Sequence, residues 1–443
     1  MKRFDLHPFF KKCMCFLLAT TLFFSPNTAF GASKPLQTEV DPFSLVHAPE
    51  SWTAYQSDEE IIVAVIDTGV DIYHEDLKDV IWTNPLEIPD NGIDDDNNGY
   101  IDDSNGWNFY NDSNAVCSYN KKGLSNPKND DNHGTHVAGI IGAKANNGVG
   151  IAGVASNVNV KIMPLKVTGG ENGTGKTSSL IQAIHYASDM GASICNISLN
   201  SSNYSEELYL TMLKSNMLFV SSAGNQDSGG VNIDKEKTYP ASFQLPNLIS
   251  VSAIDENNEL ATYSNYGIKS VALTAPGSRI YSTLVGNQYG RFTGTSMATP
   301  FVSGTCAILA TMEQKYYPSE IKQILMDTVT PISSLENKVV SGGVLNVQQA
   351  VSAGLSSIHE KDTKAPRLKL VQKNNKLSIS ISDQQSGIKS LSYLYGKRTK
   401  ADFKKGRLGK PVKTLTMQLK KGTYTFYACD HEGNEVIKTV VIK

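Results

Sequence analysis

At 443 residues, 40% hydrophobic and 19% charged, the chain has an ordinary soluble composition and room for two or three domains with a large core. Its formal net charge of −2 gives no reason to expect nucleic acid as a partner, but it hides a split. From Asp362 to the end, 18 Lys and Arg face 6 Asp and Glu, a net of +12, while the preceding residues carry −14, which suggests two modules with different partners.

The chain opens with Lys11 and Lys12, an apolar run from Cys13 to Phe24 too short to span a bilayer, and small residues around Ala29-Phe30-Gly31. This pattern predicts a secretory signal peptide over residues 1–31, removed after Gly31; a retained anchor is the alternative. Neither Cys13 nor Cys15 follows small residues, so lipid attachment is not expected. A spacer, 32–44, follows. Cys117, Cys195, Cys306 and Cys429 show no disulfide-framework spacing and no zinc pattern, and Cys195 and Cys306 sit in apolar runs that suit inert core thiols.

Ile61 to Ile66 is a continuous β-branched run, as a parallel strand buried on both faces would be, and it ends in Asp67-Thr68-Gly69. A carboxylate there, before a glycine turn, stands where open α/β sheets place their chemistry; a turn-capping Asp is the plainer alternative. Residues 90–103 form an acidic loop in which Asp94, Asp96, Asn98, Asp102 and Asp103 offer oxygen ligands around Gly99. Calcium is the expected occupant, although the absence of a twelfth-position Glu rules out a full EF-hand, and a solvated acidic turn stays open. Next comes Asn132-His133-Gly134-Thr135-His136, with His133 at a helix entrance as a candidate general base. A metal pair with His136 lacks an evident third ligand, so His136 is expected to be structural.

Gly170 to Thr177 matches GxxxxGK[ST] between a strand-like run (Val160–Val167) and a helix-like run (Ser179–Ala187). An exported chain has little ATP to meet, and the next strand, Ile194–Ser198, offers no carboxylate for magnesium. The loop serves equally well as an open backbone edge for a peptide. Leu218–Ser222 reads as another buried strand, followed by Ala223-Gly224-Asn225, whose amide could donate to an oxyanion or simply cap a turn. In Gly294-Thr295-Ser296-Met297-Ala298-Thr299-Pro300 a serine opens an apolar helix, with Pro300 expected in its first turn. Its readings are an N-cap or a nucleophile.

Strand and helix patterns alternate to about Gly354, which predicts an α/β fold, a doubly wound, mostly parallel sheet with helices on both faces, over 45–355. A charged linker (356–366) leads to a small all-β sandwich over 367–443, with strands expected at Lys376–Ser382, Ile388–Tyr395, Thr414–Leu419, Thr423–Ala428 and Val436–Ile442.

With VIDTGVD around Asp67, HGTHVAG around His133, SSAGN around Asn225 and GTSMATP around Ser296, in that order, residues 45–355 resemble the subtilisin-like serine peptidases. The resemblance implies Ser296 as nucleophile, His133 as general base and then acid, Asp67 as its orienting carboxylate, and Asn225 with the Ser296 N–H as oxyanion hole. It also implies substrate edges at Gly173-Thr174-Gly175 and Ser198-Leu199-Asn200, and an S1 wall at Ala223 and Gly224. The C-terminal region resembles bacterial immunoglobulin-like modules through AxDxxGN at Ala428–Asn434.

Three departures stand out. Asn200 replaces the family's usual glycine, so a side chain is expected to intrude on one substrate edge, and Thr238, before Tyr239-Pro240, replaces a glycine at the S1 base, which predicts a shallow pocket for small or neutral P1 residues. No inhibitory propeptide of the usual length fits between Gly31 and Trp52. The expectation is therefore a secreted, monomeric serine endopeptidase acting on proteins or peptides, with structural calcium. The basic C-terminal domain would hold it to anionic cell wall or membrane surface. A surface-binding protein on the same scaffold, or a dedicated processing protease for one secreted peptide, are the alternatives.

Overall fold

The computed structural model describes residues 41–117, 131–169, 173–374, 376–404 and 409–443. The leader expected over 1–31 and most of the spacer lie outside these residues.

A nine-stranded sheet forms the frame, in the order Thr330–Pro331, Gly343–Val344, Leu273–Pro276, Leu248–Ile254, Leu218–Ser222, Ile194–Ile197, Ser57–Asp67, Val158–Lys166, Trp107–Asn108. Its pairings are parallel except for Thr330–Pro331 against Gly343–Val344. The β-branched run of Ser57–Asp67 explains its central place. Side chains alternate across a strand, so Val63 and Val65 enter the core on one face while Ala64 and Ile66 enter the core on the other. After this strand the chain builds Trp107–Asn108 and Val158–Lys166 on one side and then crosses to Ile194–Ile197 on the other. The order thus reverses at Asp67, where doubly wound sheets leave a crevice.

On one face, helices Asn132–Gly142, Thr295–Ala310 and Val347–Ser356 close the first core; on the other, Thr177–Asp189 and Glu206–Lys214 help build the second. Thr295–Ala310 is buried on all sides except at Ala310, so it passes through the core rather than presenting one apolar stripe to it. Cys195 and Cys306 are buried thiols, as expected.

From Arg367 on, the described residues form two antiparallel sheets. One contains Arg367–Lys373, Lys376–Ser382 and Thr416–Gln418; the other contains Lys410–Pro411, Ile388–Tyr395, Gly422–Asp430 and Glu435–Ile442. Arg367–Lys373 is a strand that the sequence reading passed over, because charged residues dilute its alternation and only Leu368 is fully buried. This unit packs into the second core beside helix Glu206–Lys214. There Glu206 accepts hydrogen bonds from Leu415 N and Thr414 Oγ1, both at 2.6 Å.

Phe301 is fully buried in the central helix, its ring 4.9 Å from that of Phe43. Phe301→Ala should lower unfolding stability by about 3–5 kcal/mol, read by urea unfolding of an inactive Ser296→Ala chain. A loss under about 1 kcal/mol would mean that this helix is not the packing centre.

Candidate active site

Asp67 ends its strand fully buried, and the chain then turns sharply at Gly69 (φ 116°). A Cβ on Gly69 would stand 2.6 Å from the Val116 carbonyl oxygen and 2.7 Å from Asp131 Oδ1, so only glycine fits. Helix Asn132–Gly142 meets this turn through Gly134, where any side chain would overlap the Gly69 carbonyl. That close seating brings His133 Nδ1 to 2.7 Å from Asp67 Oδ1, which also accepts Thr68 N at 2.7 Å. Gly134 N donates to Thr68 Oγ1 at 3.0 Å and fixes the helix against the turn.

Beneath lies an ion pair that sequence reasoning missed. Lys166, at the end of the neighbouring strand, donates from Nζ to Asp131 Oδ1 at 2.8 Å and also to the Thr68 carbonyl. Lys166 is 3% and Asp131 0% exposed, so the pair clamps the Asp67 turn to the start of the His133 helix. Each residue alone reads as an ordinary loop or strand charge; only the strand order brings them together.

Ser296 is the second residue of helix Thr295–Ala310. Pro300 is the sixth, not in the first turn as expected, so its missing N–H does leave a carbonyl orphaned, that of Ser296. Ser198 Oγ donates to this oxygen at 3.0 Å. Asn196 Nδ2 donates to Ser198 Oγ at 3.1 Å, and Ser303 Oγ donates to Asn196 Oδ1 at 2.8 Å. The relay ties the serine helix to the end of the Ile194–Ile197 strand, next to Asp67. In this resting arrangement Ser296 Oγ donates to the Ser198 carbonyl at 3.3 Å, while the buried His133 Nε2 has no partner among the described residues.

Asn225 follows the Leu218–Ser222 strand. Its Oδ1 accepts Thr295 N at 2.9 Å and Thr295 Oγ1 at 3.0 Å, which leaves Nδ2 as the outward donor. A Cβ on Gly294 would lie 3.2 Å from that Nδ2. Gly294 therefore leaves room for an incoming oxygen, and Thr295 sets the amide's orientation, a role its sequence gave no sign of.

Burial opposes a charge on His133, but the adjacent Asp67 carboxylate, by its charge and its hydrogen bond, raises the imidazole above its usual range. His136 behaves oppositely. Burial pushes it down to about 3, Nε2 donates to the Ile280 and Gly290 carbonyls at 2.9 and 3.2 Å, and its ring stacks on Phe292. It anchors the Ile280–Leu284/Gln288–Phe292 hairpin and is structural, as its sequence context suggested.

Thr174-Gly175 pairs antiparallel with Thr168-Gly169, with Gly173 at the turn. Gly170 to Asn172, the first three of the eight residues of the apparent P-loop, lie outside the described residues. Leu199 is buried beside Ser198. Asn200 does not reach across the crevice: its Nδ2 donates to the Ser222 carbonyl at 2.7 Å, and its Oδ1 accepts Ser222 Oγ at 3.1 Å. A Cβ on Gly224 (φ 96°) would lie 3.3 Å from Asn200 Oδ1 and 3.4 Å from Thr238 Cγ2, so Asn200, Ala223, Gly224 and Thr238 share one wall.

The acidic loop divides. Asp96 and Asp103 join Glu87, each offering an oxygen within 4.8 Å of the others. Glu87 is 7% exposed and its Oε2 has no partner among the described residues, a donor set that suits a hard cation. Asn98 Nδ2 donates to both Asp96 and Asp103. Asp94 instead accepts Asn98 N and Gly99 N, and Asp102 accepts Asn91 N and Gly92 N, so these two carboxylates shape the loop. Glu87 escaped notice because it stands before the Asp-rich run.

The Subtilase family model matches residues 58–359. The major intracellular serine protease of Bacillus subtilis (strain 168) is 36% identical over 282 residues, covering 63% of this chain and 77% of the relative. The thermophilic serine proteinase of Bacillus sp. (strain AK1) is 34% identical over 273 residues, 61% of this chain and 57% of its own length. Subtilisin-like protease 1 of Plasmodium falciparum (isolate 3D7) is 33% identical over 314 residues, 67% of this chain and 44% of its own length. The match embraces both the Asp67 turn and the Ser296 helix, and the chain belongs to the subtilase family of serine peptidases.

Proposed function

We propose that the chain is an exported endopeptidase that cleaves proteins or peptides through an acyl-enzyme on Ser296. The observation that carries this reading is the buried 2.7 Å contact between His133 and Asp67 at the sheet edge that also holds Ser296. Ser296 Oγ attacks the scissile carbonyl carbon while His133 Nε2 takes its proton. Asn225 Nδ2 and the Ser296 N–H hold the resulting oxyanion. His133 then gives the proton to the amine as the C–N bond breaks, and water, deprotonated by the same imidazole, releases the acid. Asp67 keeps the Nδ1 proton in place and balances the imidazolium.

The resting hydrogen bond from Ser296 Oγ to the Ser198 carbonyl gives substrate a part in activation. A peptide N–H that takes this carbonyl frees the hydroxyl to turn toward His133 Nε2, whose lone pair is otherwise unused. Gly173-Thr174-Gly175 and Ser198-Leu199-Asn200 are the two backbone edges, with Ala223, Gly224 and Thr238 around the P1 side chain. Glu87, Asp96 and Asp103 would hold calcium, which would neutralise three close carboxylates and brace the Trp107–Asn108 edge of the sheet. Export rests on the leader pattern. The two C-terminal sheets suit an immunoglobulin-like module, and its exposed lysines, Lys369, Lys373 and Lys376 among them, favour a second role in holding anionic polymer.

Ser296→Ala should leave the fold intact and remove casein hydrolysis, and retained hydrolysis would refute the reading. In a peptide library, wild-type enzyme should cut after small or neutral residues such as Ala and Leu. Strong cleavage after Arg, with none after Ala or Leu, would contradict the Thr238 wall. Because His133 must be neutral to accept a proton and its pKa is raised, kcat/KM should fall as pH drops through a value above about 6.5. Asp67→Asn should move that limb downward and cut kcat about 10⁴-fold. A limb below 6.5 in the wild type, or one that Asp67→Asn leaves in place, would contradict the coupling. The inactive chain should bind isolated anionic cell wall at low salt and leave it at high salt, whereas salt-independent retention or none would remove the second role.

A further inference from the structure

One group of buried carboxylates has no part in the chemistry above. Asp362 lies in the segment linking the two units, Asp383 in the turn after strand Lys376–Ser382, and Asp430 at the end of strand Gly422–Asp430. They are 1%, 6% and 0% exposed, and each offers an oxygen within 4.8 Å of the others. Two oxygens bound to one calcium stand no farther apart than about twice the 2.3–2.6 Å bond length, so the spacing suits a shared ion.

Backbone and hydroxyl donors hold the carboxylates in place without neutralising them. Asp362 accepts Lys364 N and both Ser386 N and Oγ, Asp383 accepts Gln385 N and Gly387 N, and Asp430 Oδ1 accepts Asn434 N. Asp430 Oδ2 is buried and has no hydrogen-bond partner among the described residues. Lys361, the nearest linker lysine in sequence, pairs with Glu432 instead. Three oxygen-only ligands with an unspent lone pair are the donor set of a hard divalent cation, not of zinc or copper.

We propose that Asp362, Asp383 and Asp430 bind calcium, and that the ion fastens the linker and the C-terminal β unit to the peptidase unit. The surrounding contacts place the site at that joint. Asp362 N donates to Tyr317 Oη at 3.3 Å, just before helix Pro318–Asp327 of the peptidase unit. Ser319 Oγ in that helix donates to the Gln385 carbonyl at 2.7 Å, in the Asp383 turn. Gln385 Nε2 donates to the Glu360 carbonyl, and Asn434 Nδ2 donates to the Asp362 carbonyl. One ion would therefore hold linker, turn and strand end against the same helix.

The test uses the full chain with Ser296→Ala to prevent self-cleavage and Glu87→Gln to weaken the acidic loop. After chelator stripping, equilibrium dialysis against calcium alone should give about one bound ion per chain at this joint, and adding Asp383→Asn with Asp430→Asn should remove it. Calcium should also slow cleavage between residues 356 and 366 by an added protease several-fold in the Glu87→Gln chain, a readout that does not require the double variant to fold. Absence of that protection, or calcium uptake unchanged by the two Asp→Asn changes, overturns the proposal; the carboxyls would then share protons instead of a metal.

Discussion

The buried hydrogen bond between Asp67 and His133 sets the constraint on which the rest of the molecule depends. A 2.7 Å contact between groups 66 residues apart holds only if the strand end and the helix start are fixed independently. The central place of Ser57–Asp67 in the sheet fixes the first, since its alternating side chains are buried on both faces. Gly134 and the Lys166–Asp131 pair fix the second, one by allowing close approach and the other by clamping the turn from below. A buried ion pair of this kind costs desolvation and is justified by position more than by stability.

The serine side is built by different means. Helix Thr295–Ala310 passes through the first core, so its direction is set by apolar packing, while its N-terminal residues must stay polar and open. Pro300 releases one helix hydrogen bond at the reacting residue, and Ser198 takes up the freed carbonyl. Ser198 therefore serves twice, its hydroxyl bracing the helix and its carbonyl holding the Ser296 hydroxyl at rest. Thr295 links the same helix to the Asn225 amide. Ser296, that amide and the Ser198 end of its segment are thus coupled through hydrogen bonds.

Much of this was legible in the sequence. The apolar runs that end in Asp67 and before Asn225 gave the buried strands, and each chemical group sat at a strand end or helix start, where an α/β sheet exposes it. Pairings between distant residues were not legible. Lys166 with Asp131, Glu87 with Asp96 and Asp103, and the Asp362–Asp383–Asp430 group each draw members from separate elements, and no local pattern records strand order. Local chemistry also misled at one point: Pro300 looked like a first-turn residue, but the helix begins five residues earlier. Arg367–Lys373 was lost because an edge of a small sheet buries too few side chains to show a clear period.

The most direct measurement is the site and dependence of covalent labelling by a fluorophosphonate, mapped by peptide mass spectrometry on the intact chain. A single adduct on Ser296 Oγ, lost when His133 is replaced by Ala with the fold retained, is the predicted result. An adduct on another residue, or labelling of Ser296 at an undiminished rate without His133, would mean that the imidazole does not activate this hydroxyl.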